Sequence, residues 1–409
     1  MGALRRLAAT ALLVATLLVE ALATPAAAAP PRGGEEVVRQ SRAPDGWRRA
    51  IVRLVRGRQV GVAVREDGAF LFRHGDARRR TPASNEKLLL SMAILEALGP
   101  DARLLTTAAA PAPAAGVVPG NLWVAGSGDP AVDPRRLRSL ARAIRDAGVA
   151  RIEGSVRGST GYFKRDWGAP GWKPSFRRTQ VALPTALTFE GNRAGGVHIR
   201  DPEVRAAKVL TDELKRLGVS VAGKPGAGKA PAGLTTVAEV RSRPLIELLE
   251  YMNRYSSNFF AEVLGKRLGA ERAGAPGSIR KGAEAIRSWA ASLGVRLRAR
   301  DGSGLSYANR VSPNGLVRLL DEVEDRDWGE AFREALPEPG QGTLGGRMRH
   351  VRVHAKTGTL TGISALSGWV YLRQRGVWAE FSILSRGMSK SDAVRLEDRI
   401  VRILFRSAG

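Results

Sequence analysis

Ser84-Asn85-Glu86-Lys87 opens the segment on which the predicted fold and chemistry depend. The residues just before it, Thr81-Pro82-Ala83, interrupt the preceding pattern, whereas residues 87–98 are rich in helix formers and end at the stop signal Gly99-Pro100. We therefore predict that Ser84 opens a buried helix. Because residues three apart share one face of a helix, Ser84 and Lys87 would lie side by side, with Ser84 at the positive end of the helix dipole.

A serine beside a lysine, as predicted for Ser84 and Lys87, is suited to act as a nucleophile and its base. A serine hydroxyl attacks poorly unless a nearby base removes its proton. A lysine serves as that base if burial and a second cation lower its pKa from about 10.4. The apolar residues that follow Lys87 favour its burial, and Lys356 is a candidate second cation. The alternative is a capping serine followed by a surface lysine.

The second motif is Ser256-Ser257-Asn258, which lies where two predicted helices meet. A hydroxyl at Ser256 could relay a proton to a leaving amine. The Asn258 amide could donate to a substrate carbonyl while also bonding Lys87. The alternative is an ordinary helix cap.

The third motif is Lys356-Thr357-Gly358-Thr359, predicted at the end of a strand that starts at His350. Gly358 has no side chain, so a substrate backbone could pair with the strand edge there. Lys356, Thr357 and Thr359 offer a cation and two hydroxyls to a carboxylate, which suits a substrate with a free C-terminus. The alternative is a polar strand end. Ser-x-x-Lys, Ser-x-Asn and Lys-Thr-Gly in this order are typical of serine acyl-transfer enzymes.

Composition restricts the other function classes. Among 409 residues, 65 are Lys or Arg and 39 are Asp or Glu, giving a net charge of +26 that should attract polyanions. Nucleic acid and an anionic cell wall are both candidate partners on charge alone. The absence of cysteine excludes disulfides, thiol nucleophiles and Cys-ligated metals. The four histidines show no His-Glu-x-x-His pattern, and no P-loop or Gly-x-Ser-x-Gly occurs, so we expect neither a metal nor another cofactor.

The N-terminus predicts export. Arg5 and Arg6 precede an apolar stretch at residues 7–18, and small residues follow at 21–23 and 27–29, as in a secretory signal peptide. The alternative is a single membrane anchor, but the apolar run is shorter than the roughly 20 residues that span a bilayer. We predict a signal peptide at residues 1–29, no membrane span after its cleavage, and a periplasmic or secreted protein associated with the wall. Export argues against a nucleic-acid partner.

Periodicity predicts an α+β fold. A flexible lead-in occupies residues 30–45, and a helix and a hairpin of strands follow up to residue 72. Residues 101–240 are rich in Ala, Pro and Gly, contain one clear helix at 205–217 and look inserted. Helical patterns return at 244–293, and three strands and a terminal helix close the chain. The early and late segments could therefore share one antiparallel sheet flanked by the terminal helices, beside an all-α lobe.

Beyond the three motifs, longer stretches resemble one known family. They are Pro82 to Leu89, Gly126-Ser127-Gly128-Asp129-Pro130, Asp301-Gly302-Ser303-Gly304-Leu305-Ser306, Asn309 to Pro313, and Ala355 to Leu360 with Leu366-Ser367-Gly368. From about residue 45 to the C-terminus the chain resembles the D-alanyl-D-alanine carboxypeptidase/endopeptidases of the penicillin-binding protein 4 type. The resemblance implies a transpeptidase-like (β-lactamase-like) catalytic domain at residues 46–100 and 241–409, interrupted by an accessory domain at 101–240.

The resemblance also implies the residue roles. Ser84 would be acylated with Lys87 as general base, Ser256 would pass a proton to the departing D-Ala, and Asn258 would hold the substrate amide. Lys356 would support the proton network, while Thr357, Gly358 and Thr359 would bind the substrate and its terminal carboxylate. Backbone N–H groups of Ser84 and Thr359 would form the oxyanion hole. Ser257 stands where the family usually has Asp; its side chain should point away from substrate, so we expect little effect.

The function implied is that of a serine-type D-Ala-D-Ala carboxypeptidase. It would act on peptidoglycan stem peptides without a cofactor and would be acylated by β-lactams, with DD-endopeptidase activity on crosslinks as an addition and anionic wall polymers as further partners. Two alternatives remain: a β-lactamase, which uses the same motifs but deacylates fast, and a catalytically idle wall-binding protein. Because every catalytic position is kept, the sequence argues against the idle protein.

Overall fold

The computed structural model describes residues 46–408. The predicted signal peptide and lead-in lie outside the described residues. Within 46–408, no helix combines the length and the apolar character needed to cross a membrane.

The described chain alternates strands and helices, which are numbered in chain order. The strands are β1 (Val60–Glu66), β2 (Ala69–His74), β3 (Arg103–Ala110), β4 (Val117–Val118), β5 (Leu122–Gly126), β6 (Arg151–Ile152), β7 (Val156–Ser159), β8 (Arg193–Ala194), β9 (Val197–His198), β10 (Ser220–Val221), β11 (Gly226–Gly228), β12 (Thr235–Pro244), β13 (Val353–Leu360), β14 (Ile363–Leu372) and β15 (Val377–Arg386).

The α-helices are α1 (Gly46–Val55), α2 (Glu86–Leu98), α3 (Pro134–Asp146), α4 (Phe176–Thr179), α5 (Pro202–Arg216), α6 (Leu245–Arg254), α7 (Asn258–Ala273), α8 (Ile279–Ser292), α9 (Pro313–Glu324), α10 (Gly329–Glu334) and α11 (Lys390–Ser407). Short 3₁₀ helices lie at Ala83–Asn85, Glu190–Asn192 and Gly342–Leu344.

The first and last parts of the chain share one antiparallel sheet. Its strand order is β13-β14-β15-β1-β2, so β1 pairs with β15 from the far end of the chain. The terminal helices α1 and α11 bury Ile51 and Leu404, among other apolar residues, in one cluster with sheet residues such as Phe381. The predicted antiparallel sheet flanked by the terminal helices is thus observed.

An all-α lobe packs beside this sheet around α2. Every residue of α2 from Glu86 to Leu95 is buried, which is typical of a helix surrounded by other elements on all sides. Its apolar side chains share one core with α6, α7, α8 and α9. A helix buried in this way holds its polar side chains, including Lys87, away from water.

Residues 103–244 build a sheet of their own with the strand order β11-β7-β5-β3-β12. The helices α3 and α5 cover it, and their apolar faces join a separate hydrophobic cluster. Sequence periodicity predicts the helix α5 in this region but not α3. Its buried residues Leu137, Leu140, Ala141 and Ile144 follow helical spacing, but arginines separate them and mask the apolar pattern.

The strand that carries the third motif differs from the prediction. It begins at Val353 rather than at His350, whose φ of +66° is incompatible with a strand. It then continues through Thr359 to Leu360, because the whole segment pairs with β14. Lys356 and Gly358 therefore lie within the strand and not at its end.

One buried carboxyl in the main sheet allows a stability prediction. Glu380 on β15 is 4% exposed, and burial together with Asp321 and Glu324 raises its pKa to about 8. The facing Arg65 instead bonds Asp321 at 2.8 Å. Because the folded pKa is raised, the ionised carboxyl destabilises the fold progressively as pH rises from its ordinary pKa towards 8.

We expect Glu380→Gln to stabilise the protein by about 1–3 kcal/mol at pH 7.5, because the amide replaces a carboxyl that is costly to ionise when buried. At pH 5 the gain should be small. Urea unfolding of both proteins at the two pH values measures the difference. An equal gain at both pH values, or a loss at pH 7.5, would contradict this assignment.

Candidate active site

Ser84 lies in the 3₁₀ turn Ala83–Asn85, immediately ahead of α2, which begins at Glu86. Ser84 therefore does not open the α-helix as predicted, because a short 3₁₀ turn precedes the helix and contains Ser84. Ala83 has a φ of +48°, an uncommon conformation for a residue other than glycine. The turn still places Ser84 and Lys87 on the same side, since the two helical segments follow each other directly.

The Lys87 ammonium group is fully buried and makes three hydrogen bonds. It donates to Ser84 Oγ at 3.2 Å, to Asn258 Oδ1 at 2.8 Å and to the Ser303 backbone oxygen at 2.6 Å. The bond to Asn258 joins the Ser-x-x-Lys and Ser-x-Asn motifs across 171 residues of the chain. Its environment is thus that of a base in contact with a hydroxyl, and the surface-lysine alternative does not describe it.

Burial sets the protonation of both motif lysines. It lowers the pKa of Lys87 to about 8, while Asp301, Glu262 and Glu86 act in the opposite direction. Burial also lowers the pKa of Lys356 well below its usual value, and the charge of Lys87 adds to that effect. The charge on Lys87 thus opposes a second charge on Lys356. With a pKa of about 8, roughly a tenth of Lys87 is a neutral amine beside Ser84 at pH 7, and this fraction grows as the pH rises towards 8.

The lowered pKa predicts the pH dependence of acylation. Because only neutral Lys87 can accept the Ser84 proton, the second-order rate constant for a fluorescent penicillin should rise about tenfold per pH unit below 8 and level off above it. Rates measured between pH 5.5 and 9.5 test this. The exposed-lysine variant Lys208→Gln should keep the same profile, and a flat wild-type profile would exclude Lys87 as the base.

Ser256 and Asn258 both line the cleft, in the connection from α6 to α7. Ser256 has a φ of +53°, so the chain turns sharply there. Asn258 begins α7, and its Nδ2 donates to the Gln180 backbone oxygen at 3.3 Å. Ser257 caps α7 by accepting a bond from the Phe260 N–H. The helix-cap alternative thus describes Ser257.

The third motif forms the opposite wall of the cleft. Thr357 and Thr359 line it, and the buried Lys356 Nζ donates to the Thr357 backbone oxygen at 2.9 Å. Gly358 packs against the 3₁₀ turn that contains Ser84: a Cβ atom there would lie 2.7 Å from the Pro82 oxygen and 3.1 Å from the Ser84 nitrogen. The missing side chain therefore lets the strand backbone approach Ser84 itself.

The Asn85 side chain links the 3₁₀ turn that contains Ser84 to β13 and β14. With its amide oriented to satisfy its surroundings, Asn85 donates to the Lys356 oxygen at 2.9 Å and accepts from Ser367 Oγ at 2.7 Å. The side chain is fully buried. This role of Asn85 is not predicted from the sequence, although its place inside the first motif is a signal for it.

The Asp301–Ser306 loop supplies a further part of the site that the three motifs do not include. Its Ser303 carbonyl holds Lys87, and the Ser303 N–H donates to Glu262 Oε1 at 2.8 Å. Asp301 accepts bonds from the Gly304 and Ser306 N–H groups and from Asn309. A signal for this loop is present in the sequence, because the stretch is among those that carry the family resemblance.

Gly304 explains why this loop can approach the turn that contains Ser84. Its φ is +82°, and a Cβ atom there would lie 1.9 Å from the Ala83 oxygen. Any other residue would separate the loop from the Ser84 turn. The short contact keeps the Ser303 carbonyl within reach of Lys87.

A segment of the predicted insertion also lines the cleft, through Lys173, Phe176 and Gln180. Trp172 Nε1 donates to Asp301 Oδ2 at 2.6 Å. The buried Lys266 on α7 ties the segment down, with bonds to the backbone oxygens of residues 164, 166 and 184 at 2.8–2.9 Å. Sequence patterns give no sign that this segment returns to the catalytic motifs.

Together these elements enclose a cleft of about 430 Å³. Five of the eight predicted site residues line it: Ser84, Ser256, Asn258, Thr357 and Thr359. Lys87 lies behind them and donates to Ser84 and Asn258. Lys356 and Gly358 support the strand from within the sheet. Among residues 46–408, no group of three or more His, Cys, Asp or Glu is placed to hold a metal.

A serine bonded to a buried lysine, with a Lys-Thr-Gly strand across the cleft, is typical of the penicillin-binding class of serine enzymes. The comparisons with known proteins agree with this class. The chain matches the D-Ala-D-Ala carboxypeptidase 3 (S13) family over residues 53–194 and 187–407, and it belongs to that family. The predicted family and enzyme type are thereby confirmed.

Individual relatives support the same assignment. The chain is 28% identical over 445 residues to the D-alanyl-D-alanine carboxypeptidase of Actinomadura sp., covering 86% of this chain and 82% of the relative. It is 30% identical over 392 residues to the carboxypeptidase DacB of Mycolicibacterium smegmatis, covering 87% and 81%. Penicillin binding protein 4 of Haemophilus influenzae has the same fold, with a TM-score of 0.76 at 21% identity over 87% of this chain and 99% of that one. The predicted fold class is confirmed.

Proposed function

We propose that this protein removes the terminal D-Ala from peptidoglycan stem peptides through an acyl-enzyme on Ser84. The observation that carries the proposal is the 3.2 Å hydrogen bond from the fully buried Lys87 Nζ to Ser84 Oγ. A lysine with a pKa of about 8 provides a base near neutral pH without a histidine or a metal.

In the acylation step, Lys87 accepts the Ser84 proton as Oγ attacks the carbonyl carbon of the penultimate D-Ala. The backbone N–H groups of Ser84 and Thr359 stabilise the oxyanion; removing one such donor costs about 2.7–4 kcal/mol of barrier in serine hydrolases. The close packing of Gly358 against Ser84 supports this arrangement. The Thr357 and Thr359 hydroxyls hold the terminal carboxylate.

Collapse of the tetrahedral intermediate breaks the peptide bond and releases D-Ala. Ser256 passes a proton to the departing amine, and Asn258 orients the substrate amide while it holds Lys87 through Oδ1. Lys356 supports the proton network from inside the strand. Water then attacks the ester on Ser84, with Lys87 again accepting a proton, and frees the shortened peptide. β-Lactams would acylate the same hydroxyl.

The domain division belongs to this proposal. Residues 46–100 and 241–409 form the catalytic domain, and 101–240 form the insertion, which is supported by the separate sheet and hydrophobic cluster of residues 103–244. The insertion contributes Lys173, Phe176 and Gln180 to the cleft lining. The insertion would therefore affect which substrates the cleft accepts as well as the shape of the cleft.

Export to the periplasm or cell wall, through the predicted signal peptide, is part of the same proposal. The family acts on a wall polymer outside the cytoplasm, and the net charge of +26 suits an anionic envelope. The relationship to carboxypeptidases argues against the idle wall-binding alternative.

The test is release of D-Ala from a stem pentapeptide, with a crosslinked stem dimer and a chromogenic β-lactam as parallel substrates. We expect D-Ala release from the pentapeptide and a long-lived adduct with the β-lactam. Turnover confined to the crosslinked dimer would change the assignment to an endopeptidase. Rapid multiple turnover of the β-lactam without D-Ala release would favour the β-lactamase alternative.

A further inference from the structure

A second cavity, of about 560 Å³, adjoins the catalytic cleft. Tyr307 and Thr361 line both spaces, so the two are neighbours. The charged residues that line the second cavity are all arginines: Arg78, Arg79, Arg80, Arg310 and Arg386. No Asp or Glu is among its described lining residues. We call this space the arginine cavity.

Three separate parts of the chain bring these arginines together. Residues 78–80 precede the turn that contains Ser84, and Arg80 pairs with Val311 through backbone bonds of 2.8 and 3.0 Å. Because Arg310 directly precedes Val311, this pairing places Arg310 next to Arg80 in the cavity wall. Arg386 ends β15, where it pairs with Ile363 next to the turn after the Lys-Thr-Gly strand. The cavity is thus framed by segments that adjoin the Ser84 turn and the Lys-Thr-Gly strand.

Two of the arginines are fixed by the protein. Arg80 Nη2 donates to the Val60 oxygen at 3.0 Å, while its buried Nε has no partner among the described residues. Arg310 Nη1 donates to the Tyr307 oxygen at 2.6 Å and to Thr81 Oγ1 at 2.8 Å. These bonds hold the guanidinium groups at the cavity wall without neutralising their charge.

The remaining three arginines are exposed, and no described carboxylate pairs with them. The resulting repulsion is visible in the fixed pair. Burial and the charge of Arg78 lower the pKa of Arg80, and burial, Arg298 and Arg386 lower the pKa of Arg310. A bound anion would relieve this repulsion and give the unpartnered donors a ligand.

The number of charges indicates the kind of anion. A single carboxylate would neutralise one of five guanidinium groups, whereas a chain of phosphodiesters places successive negative charges along one extended molecule. Arginine forks also match phosphate oxygens in geometry. We propose that the arginine cavity binds a phosphate-bearing polyanion, a wall polymer of repeating phosphodiesters, beside the peptide in the catalytic cleft. That this polymer belongs to the wall rests on the proposed function; the binding site does not.

The test uses a fluorescently labelled poly(glycerol phosphate) chain and the full-length exported protein, with binding followed by anisotropy at 50 and 200 mM NaCl. The variant is Arg78→Gln/Arg79→Gln/Arg386→Gln. The control, Arg53→Gln/Arg135→Gln/Arg142→Gln, removes three exposed arginines outside the cavity and changes the net charge equally. We expect the cavity variant to bind at least about tenfold more weakly and the control less than about threefold, with a smaller salt dependence for the cavity variant.

Equal losses in both variants would show general charge attraction and overturn the proposal, as would a wild-type protein that does not bind the polymer. If the cavity variant keeps polymer binding but raises KM for the stem pentapeptide, the ligand is a substrate carboxylate and the phosphate assignment is wrong. Penicillin labelling should proceed at the wild-type rate in both variants. Its failure in the wild type would count against the proposed function alone, because polymer binding is measured separately.

Discussion

Ser84→Ala should abolish covalent labelling by a fluorescent penicillin and reduce D-Ala release on the order of a millionfold, as loss of the nucleophile does in other serine hydrolases. The physical reason is that the acyl-enzyme needs an oxygen at this position, and the buried Lys87 has no other hydroxyl within bonding distance among the described residues. Intact-protein mass spectrometry after incubation with penicillin measures the adduct directly.

The control for this variant is Ser288→Ala, which removes an exposed hydroxyl on α8, outside the cleft lining. It should label and turn over like the wild type. Ser84→Ala should also keep its thermal unfolding temperature nearly unchanged, since the substitution removes one atom from a side chain that is not part of the core. Equal labelling of Ser84→Ala and wild type would eliminate Ser84 as the nucleophile.

Lys87→Gln should slow acylation by about 10²–10⁴-fold, the usual contribution of a general base. The glutamine amide can still donate a hydrogen bond but cannot accept the Ser84 proton. The increase of the acylation rate with pH should also disappear in this variant, because it depends on deprotonation of Lys87. Stopped-flow measurement of acylation across pH values, beside Lys208→Gln as the exposed-lysine control, separates this effect from a change in net charge.

Lys87→Arg distinguishes a base from a fixed positive charge. The guanidinium keeps the charge at the same position but does not lose its proton in proteins. We expect this variant to be as slow as Lys87→Gln, provided thermal unfolding shows that the fold accommodates it. An active Lys87→Arg enzyme would mean that Lys87 stabilises charge and that another group is the base.

The sequence is informative wherever function depends on short local patterns. The three motifs identify Ser84, Lys87, Asn258 and Thr359 from residue type and spacing alone, and all four lie at one cleft. The alternation of β1 and β2 and the helical spacing of α11 also follow from the chain itself. Local periodicity fails at α3, where arginines hide the apolar face, and at His350, where the backbone turns.

Contacts between distant segments cannot be predicted in the same way. The Ser303 carbonyl on Lys87 comes from 216 residues along the chain, and the Asp301 bond to Trp172 spans 129 residues. Backbone carbonyls carry no sequence signature, so a motif search cannot find them. Lys266, a buried lysine, ties residues 164–184 down through three backbone oxygens and the Asp166 carboxylate.

By itself, then, the sequence determined the family, the three motifs and the chemical types of their side chains, because these depend on residue identity at fixed short spacings. Only the tertiary structure decided the lowered pKa of Lys87, the presence of Lys173, Phe176 and Gln180 in the cleft lining and the gathering of five arginines beside the cleft. A pKa depends on exclusion of water and on charges brought near from elsewhere in the chain, and a cavity depends on which segments meet. Both properties arise only when the chain is folded.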